Sequence, residues 1–123
     1  MTTIVDLRPT VIHLKVQRGD NQPLVFFLKD KTGAAIDITG WSIRFTVDPE
    51  ENPTTNANNL FQIVGSIVDG PGGKFSVNRS LAQADQPPAI YWFDVQRVDP
   101  ANTVRTLIKG QYEVDQDITK DTN

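Results

Sequence analysis

The stretch "WSIRFTV", residues 41–47, decides how this chain folds. Trp41, Ile43, Phe45 and Val47 alternate with Ser42, Arg44 and Thr46. A period of two puts one set on each side of an extended strand, so this is a half-buried β-strand with an apolar inner face. The same rhythm appears on either side of it. Towards the amino terminus, "TVIHLKVQ" (10–17) gathers Ile12, Leu14 and Val16 on one face, and "LVFFLK" (24–29) gathers Leu24, Phe26 and Leu28. Towards the carboxy terminus lie "IVGSIVD" (63–69), "KFSVN" (74–78), "IYWFDVQRV" (90–98) and "VRTLIKGQYEV" (104–114). All seven are rich in β-branched and aromatic residues.

The connections agree. "GDN" (19–21), "DKTG" (30–33), "DITG" (37–40), "DGPGG" (69–73) and "DPAN" (99–102) are turn formers. They supply positive φ, a preset φ, or side chains that bond their own backbone. The one helical hint is "SLAQAD" (80–85), where Ser80 is placed to cap a single turn. No segment has the ten or so residues of helical period that a parallel crossover needs. Seven strands without crossover helices predict an all-β, immunoglobulin-like antiparallel β-sandwich. The expected organisation is an amino-terminal extension (1–9), the sandwich domain (10–114) and a carboxy-terminal tail (115–123). The polar segment "DPEENPTTNANN" (48–59) reads as a long loop, of the kind that is either functional or disordered.

Arg18-Gly19-Asp20 spells a cell-attachment tripeptide, but it lies where the strands 10–17 and 24–29 must connect. Gly19 is free in φ, and Asp20 and Asn21 are placed to bond their own backbone. A three-residue match without context is weak, so the tripeptide is read as a corner.

Composition removes several functions. The 123 residues suit one domain, with enough surface to bury that no metal or disulfide staple is needed. There is no cysteine, which excludes disulfides, thiol nucleophiles and cysteine-ligated zinc or iron–sulfur sites. A net charge of −3 and a pI of about 5.0 give no basic footprint for nucleic acid. The amino terminus lacks the pattern of a secretory signal, and the longest apolar run, Leu24 to Leu28, is far too short to cross a membrane. The expectation is a soluble protein, made inside the cell or cut from a larger precursor, with no membrane or nucleic-acid partner. His13 is the single histidine, so no Ser-His-Asp relay or histidine metal cluster is expected. Carboxylates are plentiful, but most sit at turns. "DGPGG" lacks the lysine and helix of a phosphate loop, and neither 48–52 nor 115–121 has calcium-loop spacing. No catalytic residue, metal or cofactor is expected.

A longer stretch, "GDNQPLVFFLKDKTGAAIDITGWSIRFTV", strings together Gly-Asp, an alternating strand, Asp-x-x-Gly, "IDITG" and a second alternating strand. It resembles the immunoglobulin-like domain at the amino terminus of phage baseplate upper proteins. It is also similar to short stand-alone virion proteins of tailed phages with that fold. "GGKFSV" (72–77), "SLAQADQ", "IYWFDVQRVD" and "RTLIKGQYEVDQDIT" (105–119) extend the resemblance across Gly19 to Thr119. The baseplate proteins continue into receptor-binding regions, whereas this sequence stops at Asn123. The resemblance implies a virion building block, made in the host cytoplasm, whose partners are other virion proteins or further copies of itself. It carries no catalytic motif.

The core is expected to hold Ile12, Leu14, Leu24, Phe26, Ile43, Phe45, Phe75, Val77, Tyr91, Phe93, Val95, Tyr112 and Val114. Two strands are apolar in both phases, leaving Val25, Phe27, Ile90 and Trp92 for the outer surface. Either these lie under a loop or terminus, or they belong to a patch covered by another subunit. With Ile4, Val5, Leu7 and Ile118 of the two ends, they form the candidate protein interface. Two functional readings follow. One is a structural protein of a tail, baseplate or head surface. The other is an immunoglobulin-like module that recognises carbohydrate or a host surface, against which stands the lack of any aromatic residue in 48–59.

Overall fold

The computed structural model describes residues 9–55 and 57–116. Eight strands follow in order: β1 (Thr10–Gln17), β2 (Leu24–Phe27), β3 (Ser42–Asp48), β4 (Phe61–Val64), β5 (Ser66–Asp69), β6 (Lys74–Val77), β7 (Ala89–Val98) and β8 (Val104–Asp115). A one-turn helix, α1 (Leu81–Ala84), sits between β6 and β7. Its cap is the expected one. Ser80 Oγ accepts from the Gln83 amide at 3.1 Å while Gln83 Oε1 accepts from the Ser80 amide at 2.8 Å, a reciprocal capping box.

The strands form two layers, one ordered β1-β8-β7-β3-β4 and the other β2-β6-β5. This is the expected all-β sandwich. The smaller layer corresponds to the B, E and D strands of an immunoglobulin-type sandwich, and β8, β7, β3 and β4 to G, F, C and C′. A tyrosine corner marks the same place as in that fold. Tyr91, near the start of β7, donates its hydroxyl to the Pro87 carbonyl at 2.7 Å.

Several details differ from the sequence-based expectation. Residues 63–69 are not one strand but two in different layers, parted at Gly65. The Gly65 amide donates to the Ile43 carbonyl at 2.8 Å, and a Cβ there would press on the Ile43 side chain at 3.1 Å. Nor is the sandwich wholly antiparallel, because β1 pairs parallel with β8 along its whole length. Finally, β8 runs one residue past the expected domain end at 114, and Trp41 lies just before β3 rather than in it. Of the two expected extensions, only Pro9, Asp115 and Gln116 are among the described residues.

The inner faces meet in an aromatic cluster. Phe26 of β2 stacks on Phe75 of β6 at 5.0 Å. Phe45 of β3 lies within 6.5 Å of Phe26, Phe61, Phe93 and Tyr112, measured between ring centres. Where antibody domains join B and F by a disulfide, this cysteine-free chain packs aromatic rings. Of the expected core, Ile12, Leu14 and Leu24 are only partly buried and the rest are buried. The core also takes Val47, Phe61 and Ile108, together with Ile38 from the "IDITG" turn, which is fully buried. Asp37 shapes that turn, its carboxylate accepting from the Thr39 hydroxyl and amide.

Candidate functional site

A two-layer sandwich buries one face of each sheet and leaves two outer faces, and the candidate residues divide between them. Alternation along β2 turns Phe26 inward and Val25 and Phe27 outward, where Phe27 is 59% exposed. Their cross-strand partners on β6 are Ser76 and Lys74, and the Lys74 ammonium lies over the Phe27 ring at 5.5 Å. Alternation along β7 turns Tyr91, Phe93 and Val95 inward and Ile90 and Trp92 outward, on the opposite side of the molecule. The four residues therefore make two separate surfaces, not one patch. Ile90 is exposed, whereas Trp92 is half-buried. Ile4, Val5, Leu7 and Ile118 lie outside the described residues.

The half-burial of Trp92 comes from its neighbours. In register, Trp92 stands between Gln111 of β8 and Asp48 of β3, and Asp94 stands between Lys109 and Thr46. Beyond Thr46, β4 adds Gln62, whose amide donates to the Thr46 hydroxyl at 3.0 Å. The chain after β3 rises beside this face, and Asp48 fastens its base. One Asp48 carboxylate oxygen accepts from the Glu50 amide at 2.8 Å and the other from the Asn59 side chain at 2.6 Å. Asp48 itself is buried. Residues 50–53 and Asn59 of the segment read as a long loop thus form a wall along the outer face of the larger sheet.

Wall and sheet border two adjoining open hollows. One, of about 540 Å³, lies over β1 and β8 and is lined by Val11, His13 and Gln111. The other, of about 670 Å³, lies over β7, β3 and β4 and is lined by Asp94, Thr46, Gln62 and Asn59. Trp92, Glu51 and Lys109 border both, so the two form one trough. Burial holds the Asp94 carboxyl above its ordinary pKa, because its charged form is poorly solvated there.

His13 Nε2 lies 2.9 Å from Glu113 Oε1 on the solvent face of β1 and β8, where Lys15 also approaches Glu113 and Asp115. Among the described residues, no cluster of three or more histidine, aspartate or glutamate side chains is placed to hold a metal ion. No described helix is long and apolar enough to cross a membrane.

Arg18-Gly19-Asp20 is built into a corner. The Arg18 amide donates to the Asp115 carbonyl at 2.8 Å, the Gly19 amide to Ala84 at 2.9 Å and the Asp20 amide to Gln17 at 3.2 Å. Gly19 has φ of +87°, and the Arg18 guanidinium pairs with Asp85 at 2.8 Å. The tripeptide ties β1 to the end of α1 instead of projecting as a flexible loop.

The signal for the trough was present in "IYWFDVQRV". Its outward phase reads Ile90, Trp92, Asp94, Gln96, an aromatic beside polar groups, of which apolarity alone singles out only Ile90 and Trp92. No protein-family model matches this chain, and no curated protein matches it either.

Proposed function

We propose that this protein is a non-enzymatic structural component of a tailed-phage particle, joined to a neighbouring virion protein through the outer face of β2 and β6. The observation that carries the reading is Phe27. A large apolar ring stands 59% exposed at the end of β2, an edge strand whose outer face should meet water, with Val25 beside it, also exposed. Aromatic side chains are enriched at the centres of protein interfaces, and Phe27 is already fixed by its strand, so little conformational entropy is lost on contact. The resemblance of residues 19–119 to immunoglobulin-like virion proteins supplies the kind of neighbour. Carboxylates committed to turns, such as Asp30, Asp37 and Asp99, support a role without acid–base chemistry.

The test is Phe27→Glu in the phage that encodes this chain. The charge sits on an outer face and leaves the core untouched, so circular dichroism should match the wild type. Particles assembled with the variant should lack this protein by mass spectrometry. Normal incorporation of the folded variant would remove the β2 face from the reading, and absence of the wild-type protein from purified particles would remove the virion role itself.

A further inference from the structure

We propose that the trough around Trp92 is a binding site for a neutral oligosaccharide. This site lies on the opposite face of the sandwich from Phe27 and does not depend on the assembly reading.

Shape comes first. The trough crosses all five strands of the larger sheet, and at about 4.8 Å between strands its floor spans roughly 19 Å. That is long enough for a short run of pyranose rings and too open for a small metabolite. The two hollows each fall within the volume range of ligand sites.

Chemistry comes second. A pyranose has an apolar face of C–H groups and a rim of neighbouring hydroxyls, each both donor and acceptor. A site for it therefore needs an aromatic wall and mixed planar hydrogen-bonding groups. Trp92 borders both hollows and is held by its strand, and its indole brings a broad apolar face. Around it stand Gln62, Asn59 and Gln111, whose amides offer donor and acceptor together. Asp94 adds an acceptor and Lys109 a donor.

Charge comes third. Lys109 and Arg44 share the trough with Asp94, Glu51 and Glu50. A phosphate or nucleic-acid backbone laid there would meet these carboxylates, and a cationic ligand would meet Lys109 and Arg44. Two cations stand against these three carboxylates and against Asp48, whose oxygens already hold Glu50 and Asn59, and this mixture of signs favours an uncharged ligand with many hydroxyls. An apolar helix or strand of a partner protein fits poorly, because it would bury Asp94 and Lys109 without replacing their water contacts.

The wall makes the site ready before the ligand arrives. Asp48 anchors both Glu50 and Asn59, so these two flanks of the trough are already held in place and need little ordering on binding.

The experiment titrates the full-length protein with maltohexaose, cellohexaose and chitin hexaose in turn. Readouts are amide and indole NMR shifts, and tryptophan fluorescence in a Trp41→Phe background so that Trp92 alone reports. At least one hexaose at millimolar concentration should shift the Trp92 indole together with the Asp94, Gln62 and Lys109 amides, with saturation. Trp92→Ala and Asp94→Ala should each weaken that sugar by about tenfold or more. Phe27→Glu, on the other face, should leave the affinity unchanged. All of these residues point outward, and the amide spectrum of each variant checks that the sandwich is intact. No response at the trough to any of the three sugars, or binding that survives both Trp92→Ala and Asp94→Ala, overturns the proposal.

Discussion

Inside the sandwich, Arg79 donates from Nη1 to the Tyr112 hydroxyl at 2.9 Å, with both residues buried. Nη2 reaches the Gln22 carbonyl at 3.2 Å. The guanidinium thus joins β8 to the segment that leads into β2, from a position between β6 and α1. A buried cation is costly unless its donors find acceptors, so the tyrosine hydroxyl matters more than its size suggests. Tyr112→Phe keeps the ring in the core but leaves Nη1 unpaired. The expected cost is about 1–3 kcal/mol, read as a lower midpoint in urea at an unchanged slope.

Phe45 is the centre of the aromatic cluster, touching rings from both layers. Truncation to alanine removes those contacts and opens a cavity that the two sheets cannot close. Phe45→Ala should cost on the order of 3–5 kcal/mol, a large part of the stability of a domain of this size. A midpoint within a degree or two of wild type would show that β3 presents its other face to the core.

Gly110 of β8 stands opposite Ile12 of β1. Its φ is +154°, and a Cβ there would collide with the backbone carbonyl of Ile12. Backbone cannot step aside as a side chain can. Gly110→Ala should therefore loosen the parallel pairing of β1 while sparing the antiparallel pairs of β7 with β3 and β8. Hydrogen exchange is the measurement, with amides of 10–17 losing protection before those of 91–95.

Acid should act on the fold in two directions. The Thr32 hydroxyl, with the Thr32 and Ala34 amides, holds the Asp30 carboxyl below its ordinary value of 3.8, and the Thr39 hydroxyl and amide do the same for Asp37. At Asp99 the chief cause is the Thr103 amide, with Arg97 assisting. A carboxyl whose pKa is lowered on folding stabilises fully above its unfolded value, and that contribution is lost as pH falls through the folded one. Asp94 is opposite in sign. Burial raises its pKa, so its charge opposes folding at neutral pH and the opposition lifts as pH falls towards its folded value. Thermal stability should therefore hold or rise slightly on mild acidification and fall below about pH 4. Asp94→Asn should raise the melting temperature at pH 7 and have no such effect at pH 3.

Much of this fold could be read one strand at a time. Alternation alone turns Ile43, Phe45, Tyr91, Phe93 and Val95 inward, because a strand has only two faces and the apolar one must leave water. The turns were equally legible, since Asp30, Asp37 and Asp99 bond backbone within a few residues of themselves. Ile38 was harder to see. A lone apolar residue among turn formers has no period, and its burial depends on both layers being in place.

What the sequence determined by itself is most of the strand content, the face that β3, β7 and β8 bury and the corner at Arg18-Gly19-Asp20, because each depends on neighbours close along the chain. Only the tertiary structure decided that 63–69 breaks at Gly65 and changes layers, and that β1 runs parallel to β8. It alone separated Phe27 from Trp92 and brought Trp92 together with Gln62, Asn59 and Lys109. Alternation records which side of a strand meets water, not which strand lies beside it. The trough is made from residues of different strands and a loop, and their meeting depends on pairings between distant parts of the chain that no local pattern encodes.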